Sequence, residues 1–323
     1  MTERKIFWGI SKDLQAAVRY EPNACRGYVM DISLGCPNLC IYCIFSILEK
    51  TVYKFYNTRY KGEVIPLKLD KFLAEEKFPP FVYMCYASDP FGNRQITQST
   101  VAVLDKLLSH DVFVGFVTKG IIDGEVLEVI RKKPGLVGVQ VGITNSSDRR
   151  NKIVEPGAPS YKKRLENFKR LQEINNLGFL TVRIDPMLPG IDDTPGNIEK
   201  IIHDAGSLGA KEAVLGYVIL TRDLKEQLKK NEFTRASAEA LTEKTSTISQ
   251  QELFSLPFAE KVKKLTEFEK ICKQYGLKMA VCGCKEEEMK KTSFEWVCHP
   301  FNRQRREELA LKTEFHLETA HFG

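Results

Sequence analysis

The sequence predicts an α/β fold, a partial (β/α)6-type barrel with a short C-terminal cysteine-containing extension. Three observations lead there. Apolar, β-rich runs alternate with longer amphipathic segments along most of the chain, the order that builds a parallel sheet with helices outside it. Several runs, VFVGFV among them, are apolar at nearly every position, as strands buried on both faces are. The third observation is where the unusual residues fall: cysteines after the first run, SDPFGN after the second, TKG after the third, TNSSDRR after the fourth and DPMLPG after the fifth. In β/α barrels chemistry gathers at those C-terminal strand ends.

Strands are expected at 28–34, 81–86, 112–118, 136–144, 179–184, 212–218 and 277–282. Between them, apolar residues spaced three and four apart predict helices over 100–109, 124–132, 161–176, 196–208 and 257–275. Residues 1–27 read as an N-terminal extension and 28–219 as the β/α core. The strongly polar stretch 220–256 reads as a helix followed by a connection or lid. Residues 257–323 read as a C-terminal region that completes the barrel and ends in a polar, helix-patterned tail containing NRQRREE.

A chain of 323 residues can bury one large core. Its 43% hydrophobic and 28% charged fractions are those of an ordinary soluble protein. No apolar run approaches membrane-spanning length, and the charged N-terminus lacks a secretory pattern, so a cytoplasmic protein without a membrane partner is expected. Nine cysteines in a reducing compartment point to metal ligation or catalysis rather than disulfides. The net charge of +6 permits a phosphate-bearing or nucleic-acid partner, but the basic clusters at 162–170 and 303–306 read as solvated helix faces.

The sharpest motif is DISLGCPNLCIYC, which leaves three and then two residues between Cys36, Cys40 and Cys43. Gly35 and Pro37 supply a tight turn. Three thiolates on such a loop can converge on a [4Fe-4S] cubane and leave one iron open. That iron can chelate S-adenosylmethionine (SAM) through its amino and carboxylate groups and feed an electron to the sulfonium. A zinc knuckle or a buried group of apolar cysteines is the alternative reading of the same triplet.

With the triplet directly after an apolar strand, the sequence resembles the radical SAM superfamily, and the expected barrel is the partial one of that superfamily. Beyond the triplet it is similar to the branch that contains spore photoproduct lyase, through MCYASDP (84–90), FVTKG (116–120), ITNSS (143–147), VEPGAPSYKKRL (154–165) and RIDPMLPG (183–190). The likeness covers roughly residues 28–190. It implies that Tyr42 lies beside the adenine, that Ser88 and Asp89 meet the SAM amino group, and that Lys119 lies near the SAM carboxylate. It also implies that Thr144 faces the ribose or methionine moiety and that Arg183 points toward the same mouth. In the lyase a thiol near the end of the second strand returns a hydrogen atom to a substrate radical. Cys85 stands one residue further from Asp89 than that pattern places it, and one residue along a strand reverses the side-chain face unless a bulge intervenes. Glu155 and Arg164 flank a turn and a helix start and are expected to brace that loop.

Cys282 and Cys284 (VCGCK) end the last expected strand, and Cys298 follows in WVCHPF. Together they predict a second iron–sulfur cluster, with Cys272, Cys25, His299 or a substrate atom as fourth ligand, or else a zinc ion. Separate buried thiols are the plainer alternative.

The function expected is reductive SAM cleavage that starts radical chemistry on a small-molecule, amino-acid or peptide substrate in biosynthesis. The electron would come from a donor such as flavodoxin or ferredoxin. Lyase-like repair of a nucleic-acid lesion, SAM cleavage to an aminocarboxypropyl radical, and a non-catalytic iron–sulfur or zinc protein are the alternatives.

Overall fold

A computed structural model of the chain describes residues 18–21, 27–44, 63–64, 81–85, 87–245, 252–283 and 287–297. Nine strands form one sheet in sequential order: β1 (Val18–Glu21), β2 (Gly27–Met30), β3 (Phe81–Met84), β4 (Phe113–Thr118), β5 (Val137–Gly142), β6 (Phe179–Met187), β7 (Glu212–Tyr217), β8 (Lys278–Cys282) and β9 (Glu295–Val297). Only β1 runs antiparallel to its neighbour; every other adjacent pair is parallel. Sequential parallel strands with crossover helices make this a partial β/α barrel, as expected.

The crossovers are α1 (Arg94–Ser109), α2 (Gly124–Lys132), the pair α3 (Asp148–Val154) and α4 (Tyr161–Leu171), α5 (Pro195–Ser207) and α8 (Phe258–Gln274); α6 (Arg222–Lys229) and α7 (Arg235–Glu239) precede α8. Local chemistry starts and stops them. The side chains of Asn93, Ser147, Ser160 and Thr221 accept from the first turns of α1, α3, α4 and α6, satisfying donors that a helix start leaves unpaired. Pro195 opens α5, where its missing N–H is no loss. Gly209 and Gly276 follow α5 and α8 with φ of 98° and 73°, the left-handed exit that glycine permits. In the polar stretch after β7, two-residue strand Leu220–Thr221 pairs with Leu253–Ser255, which also pairs with Glu243–Thr245. No helix among the described residues is long and apolar enough to cross a membrane.

The two faces of the sheet differ. Val82, Met84, Val114, Phe116, Val139, Val141, Val182, Ile184, Ala213, Leu215, Met279 and Val281 share one face and join the helices in the main apolar core. The opposite face, the inside of the barrel, carries Tyr83, Gly115, Val117, Gly138, Gln140, Gly142, Thr181, Arg183, Asp185, Ala280 and Cys282 by the same registers. The strands are buried on both faces, as expected, with β4 and β5 buried at nearly every position. The inside also carries Phe81, Phe113 and Val214, which form small apolar clusters of their own, and is small and polar elsewhere.

Candidate active site

The triplet loop follows β2 and is held from outside by three loops. Ile41 N–H donates to the Val154 carbonyl (3.0 Å) and Gly157 N–H to the Asn38 carbonyl (3.0 Å). Asn38 Nδ2 donates to Asp89 (2.8 Å). Glycines make these approaches close. A Cβ on Gly157 would fall 1.9 Å from the Pro37 carbonyl oxygen, one on Gly92 2.3 Å from Pro37 Cγ, and one on Gly120 2.5 Å from the Phe91 carbonyl oxygen. Pro37 is thus pinched between the loop after β3 and the turn between α3 and α4, while the loop after β4 presses on the first of them. Gly157→Ala overpacks this contact by about 1–3 kcal/mol, so the variant should bind less iron at unchanged far-UV circular dichroism. Gly196→Ala, at an open position, serves as the control and should bind iron like the wild type.

Cys36, Cys40 and Cys43 are all half-buried, and their thiols lie within electrostatic reach of one another. Burial, then Asp89 and Cys40, push Cys36 well above the usual thiol value. Burial pushes Cys40 up to about 12, against the opposing pull of Lys119. Three thiols so crowded cannot all ionise alone, and a metal centre that takes them as thiolates relieves both burial and mutual repulsion. Among the described residues no three Cys, His, Asp or Glu side chains close on a cage for a single metal ion.

Asp89, buried at 3% exposure, organises the next shell. Its carboxylate accepts from Asn38, from Thr118 Oγ1 (2.7 Å), and from the backbone N–H groups of Phe91 (3.0 Å) and Lys119 (2.8 Å). It therefore ties the triplet loop to the ends of β3 and β4. Beside it, Ser88 Oγ is buried without a hydrogen-bond partner apart from weak contact with the Cys85 thiol. Cys85 is the residue after β3, with φ of 58°, so the period-two alternation of the strand stops there. Its thiol lies against the Ile32 backbone and Ser88, and burial, then Asp31, raise its pKa and keep the S–H intact.

Glu155 is the hub of the other side. It is 1% exposed and accepts from Tyr42 Oη (2.5 Å), Thr144 Oγ1 (2.7 Å) and Arg164 Nη1 (2.6 Å), with Arg150 Nη1 at 3.2 Å. Burial alone would raise its pKa, but Lys119, Arg164, Arg150 and the Tyr42 hydroxyl together hold it well below the usual carboxylate range. Arg164 also donates to the Pro159 (2.7 Å) and Gly142 (3.2 Å) carbonyls, and Arg150 reaches on to Asp192. Lys119 is half-buried and lies against Gly142, whose missing Cβ leaves room for its side chain. Burial pulls its pKa down, but Glu155 and Cys40 outweigh that and keep the ammonium charged; among the described residues it makes no hydrogen bond through that ammonium.

Of the residues singled out from the sequence, Tyr42, Lys119 and Thr144 thus converge on Glu155, while Ser88, Asp89 and Cys85 gather on the far side of the triplet. Arg183 lies lower, inside the barrel, bonded to Asp185 (Nε to Oδ2, 3.0 Å) and to Gln140 Oε1 (2.8 Å). Cys282, at the end of β8, is buried and within electrostatic reach of Arg183; Cys284, Cys298, Cys25 and His299 lie outside the described residues, as does the 303–306 cluster. Glu155 does more than brace its own loop, and Arg150, Asn38 and Gln140 escaped the sequence reading. A glutamine inside VGVQVG was the one visible signal among them.

The residues fit the cofactor pair that the triplet suggests. Three crowded thiols suit an iron–sulfur cluster, the orphaned Ser88 hydroxyl suits an ammonium, and the unbonded Lys119 ammonium suits a carboxylate. Comparison with known proteins agrees. A family model described as the radical SAM superfamily matches residues 30–205. An uncharacterized protein, ORF301 of Acidianus two-tailed virus, is 21% identical over 213 residues, covering 61% of this chain and 69% of that protein. A solved mutant of spore photoproduct lyase superposes with a TM-score of 0.59 at 15% identity, covering 81% of this chain and 78% of that one. Another mutant of that lyase, with bound AdoMet and dinucleoside spore photoproduct, matches with a TM-score of 0.59 at 16% identity over 88% and 79% of the two chains. At such identity these structures speak for the fold.

Proposed function

The chain belongs to the radical SAM superfamily, enzymes built on a [4Fe-4S] cluster, SAM and a reductant, and from that premise we propose that Cys36, Cys40 and Cys43 ligate the cluster and that the protein cleaves SAM reductively to act on a small-molecule, amino-acid or peptide substrate. The observation that carries this is the grouping around the triplet of a buried hydroxyl without a hydrogen-bond partner, Ser88, and an ammonium, Lys119, that makes no hydrogen bond among the described residues and is balanced through space by Glu155. When bound, the cluster and SAM supply an electron and a sulfonium, and from them a carbon radical.

The chain's own residues bind and orient. Ser88 accepts from the SAM amino group, and Asp89 acts behind it by holding the loops, since its oxygens are already engaged. Lys119 meets the carboxylate. Tyr42 packs toward the adenine with its hydroxyl fixed by Glu155, and Thr144, fixed by the same carboxylate, sits at the ribose or methionine side. Arg183 lines the interior below. Cys85, kept as a thiol by burial and lying beside Ser88, is the candidate to return a hydrogen atom to a substrate radical. The electron donor is a small redox protein such as flavodoxin or ferredoxin.

Anaerobically reconstituted protein with dithionite should convert SAM to 5′-deoxyadenosine and methionine. Methylthioadenosine would shift the reading to an aminocarboxypropyl radical, and no cleavage at all would overturn it. Repair of a nucleic-acid lesion has no specific observation in its favour, because a 15–16% likeness does not carry a substrate across.

A second metal centre at Cys282, Cys284 and Cys298 belongs to the same reading. Cys282 stands at a strand end on the inner face of the sheet, and a Cβ on Gly283 would fit tightly, 3.1 Å from the Trp296 ring and 3.3 Å from Lys290 Cγ. Changing the three cysteines together to alanine should lower iron from about eight to about four atoms per chain. An unchanged iron count with a loss of zinc would identify a zinc site instead.

A further inference from the structure

Gln140 and Thr181 are register partners on β5 and β6, on the inner face of the sheet. Both are fully buried. Thr181 Oγ1 and Gln140 Nε2 nevertheless have no hydrogen-bond partner. The orientation of the glutamine is forced: Arg183 can only donate, so Oε1 must face its Nη1 at 2.8 Å and the NH2 end is left free. Buried polar atoms without partners are rare in folded proteins, and each calls for a reason. Two of them project from adjacent strands whose backbones lie about 4.8 Å apart, the pattern of a place that something else binds.

The neighbourhood sets the chemistry of that partner. Gly138 and Gly142 flank Gln140 on the same face, and the side chain of Lys119 lies over Gly142. Arg183 is neutralised by Asp185, which takes two of its nitrogens. Glu212, the register partner of Thr181 on β7, adds a buried carboxyl whose Oε1 also lacks a partner. The layer therefore presents a compensated ion pair, two neutral donors and an acceptor that disfavours an anion. We propose that Gln140 and Thr181 form a substrate subsite inside the barrel that holds an uncharged carbonyl group of the amide type. The proposal rests on the radical SAM reading, in which the substrate enters the interior beneath the cluster loop, and it narrows the substrate to molecules with such a group.

Benzamide and benzoate, matched in shape and different in charge, are the probes. Binding to the reconstituted protein is read by saturation-transfer NMR and by thermal shift. Benzamide should bind and benzoate should not. Thr181→Val and Gln140→Leu should each weaken benzamide at least about tenfold, as loss of a buried hydrogen bond to a ligand does, while iron content stays at the wild-type level. Thr181→Ser, which keeps the hydroxyl, should retain binding. Without probe, Thr181→Val should melt higher by about 2 °C, because it removes an unsatisfied buried hydroxyl. Equal binding of benzoate would overturn the neutral-carbonyl assignment. Unaltered benzamide binding in both variants, or none in the wild type, would overturn the subsite. SAM cleavage by the wild type without any probe reports separately on the underlying reading, so the two can fail independently.

Discussion

Alanine in place of Cys36, Cys40 or Cys43 is expected to abolish reductive SAM cleavage. The three thiols come from one loop after β2, and no other described cysteine lies in that loop to substitute for a lost one. Loss of a group that merely supports a metal ligand typically costs 10–100-fold; loss of a ligand itself should exceed that and bring product to background. Each variant should also lose the broad thiolate-to-iron absorbance after anaerobic reconstitution. The fold should survive, because the loop is held by Asp89, Gly157 and Val154 through backbone and Asn38 contacts that no cysteine side chain makes. Retained 5′-deoxyadenosine formation in any one of the three would contradict the ligand assignment.

Glu155→Gln is expected to be the most destabilising single change at the site. The carboxylate is fully buried and compensates Arg150 and Arg164 directly and Lys119 through space. Removing its charge leaves those cations uncompensated where water cannot reach, which typically costs about 3–5 kcal/mol. In a chain of this size that lowers the melting temperature by on the order of 10 °C. The sign with pH follows from the depressed pKa. An unfolded Glu155 protonates near 4.5, whereas the folded one stays ionised well below that. Its stabilisation is therefore fully present above pH 4.5 and is lost as pH falls toward the folded pKa. The wild type should lose stability in acid faster than the variant. Glu166→Gln is the contrast: its bridge to Arg170 is a solvent-exposed i,i+4 pair worth about 0.5 kcal/mol or less. Equal melting temperatures for the two variants would remove Glu155 from the centre of the site.

Much of the fold was legible because local pattern and tertiary role coincide. Apolar runs became β3 to β8, and the periodic segment 124–132 became α2 with those same ends. Helix α3 was missed because DRRNKIV is short and polar, and its one local sign is the capping Ser147. β1 and β9 are edge strands of four and three residues, too brief to carry a period. α1 begins six residues earlier than its apolar spacing suggests, because Asn93 caps it there.

The site was legible where its residues are contiguous, as in the cysteine triplet, and illegible where it depends on distance. Tyr42 and Glu155 are 113 residues apart, and Asn38 and Asp89 are 51 apart. Nothing local marks either pair. Arg183 with Asp185 could be paired by their spacing of two on one strand face, but the bond from Arg183 to Gln140 becomes visible only when β5 is seen beside β6.

The grip of the barrel loops on Pro37 and Asn38 fixes the triplet turn through contacts that no thiol makes. Coordination energy is then spared the task of ordering chain, unlike in small zinc-organised peptides, where binding and folding are one event. Chelation or air should strip this protein to a vacant but intact receptacle, ready to be refilled in place.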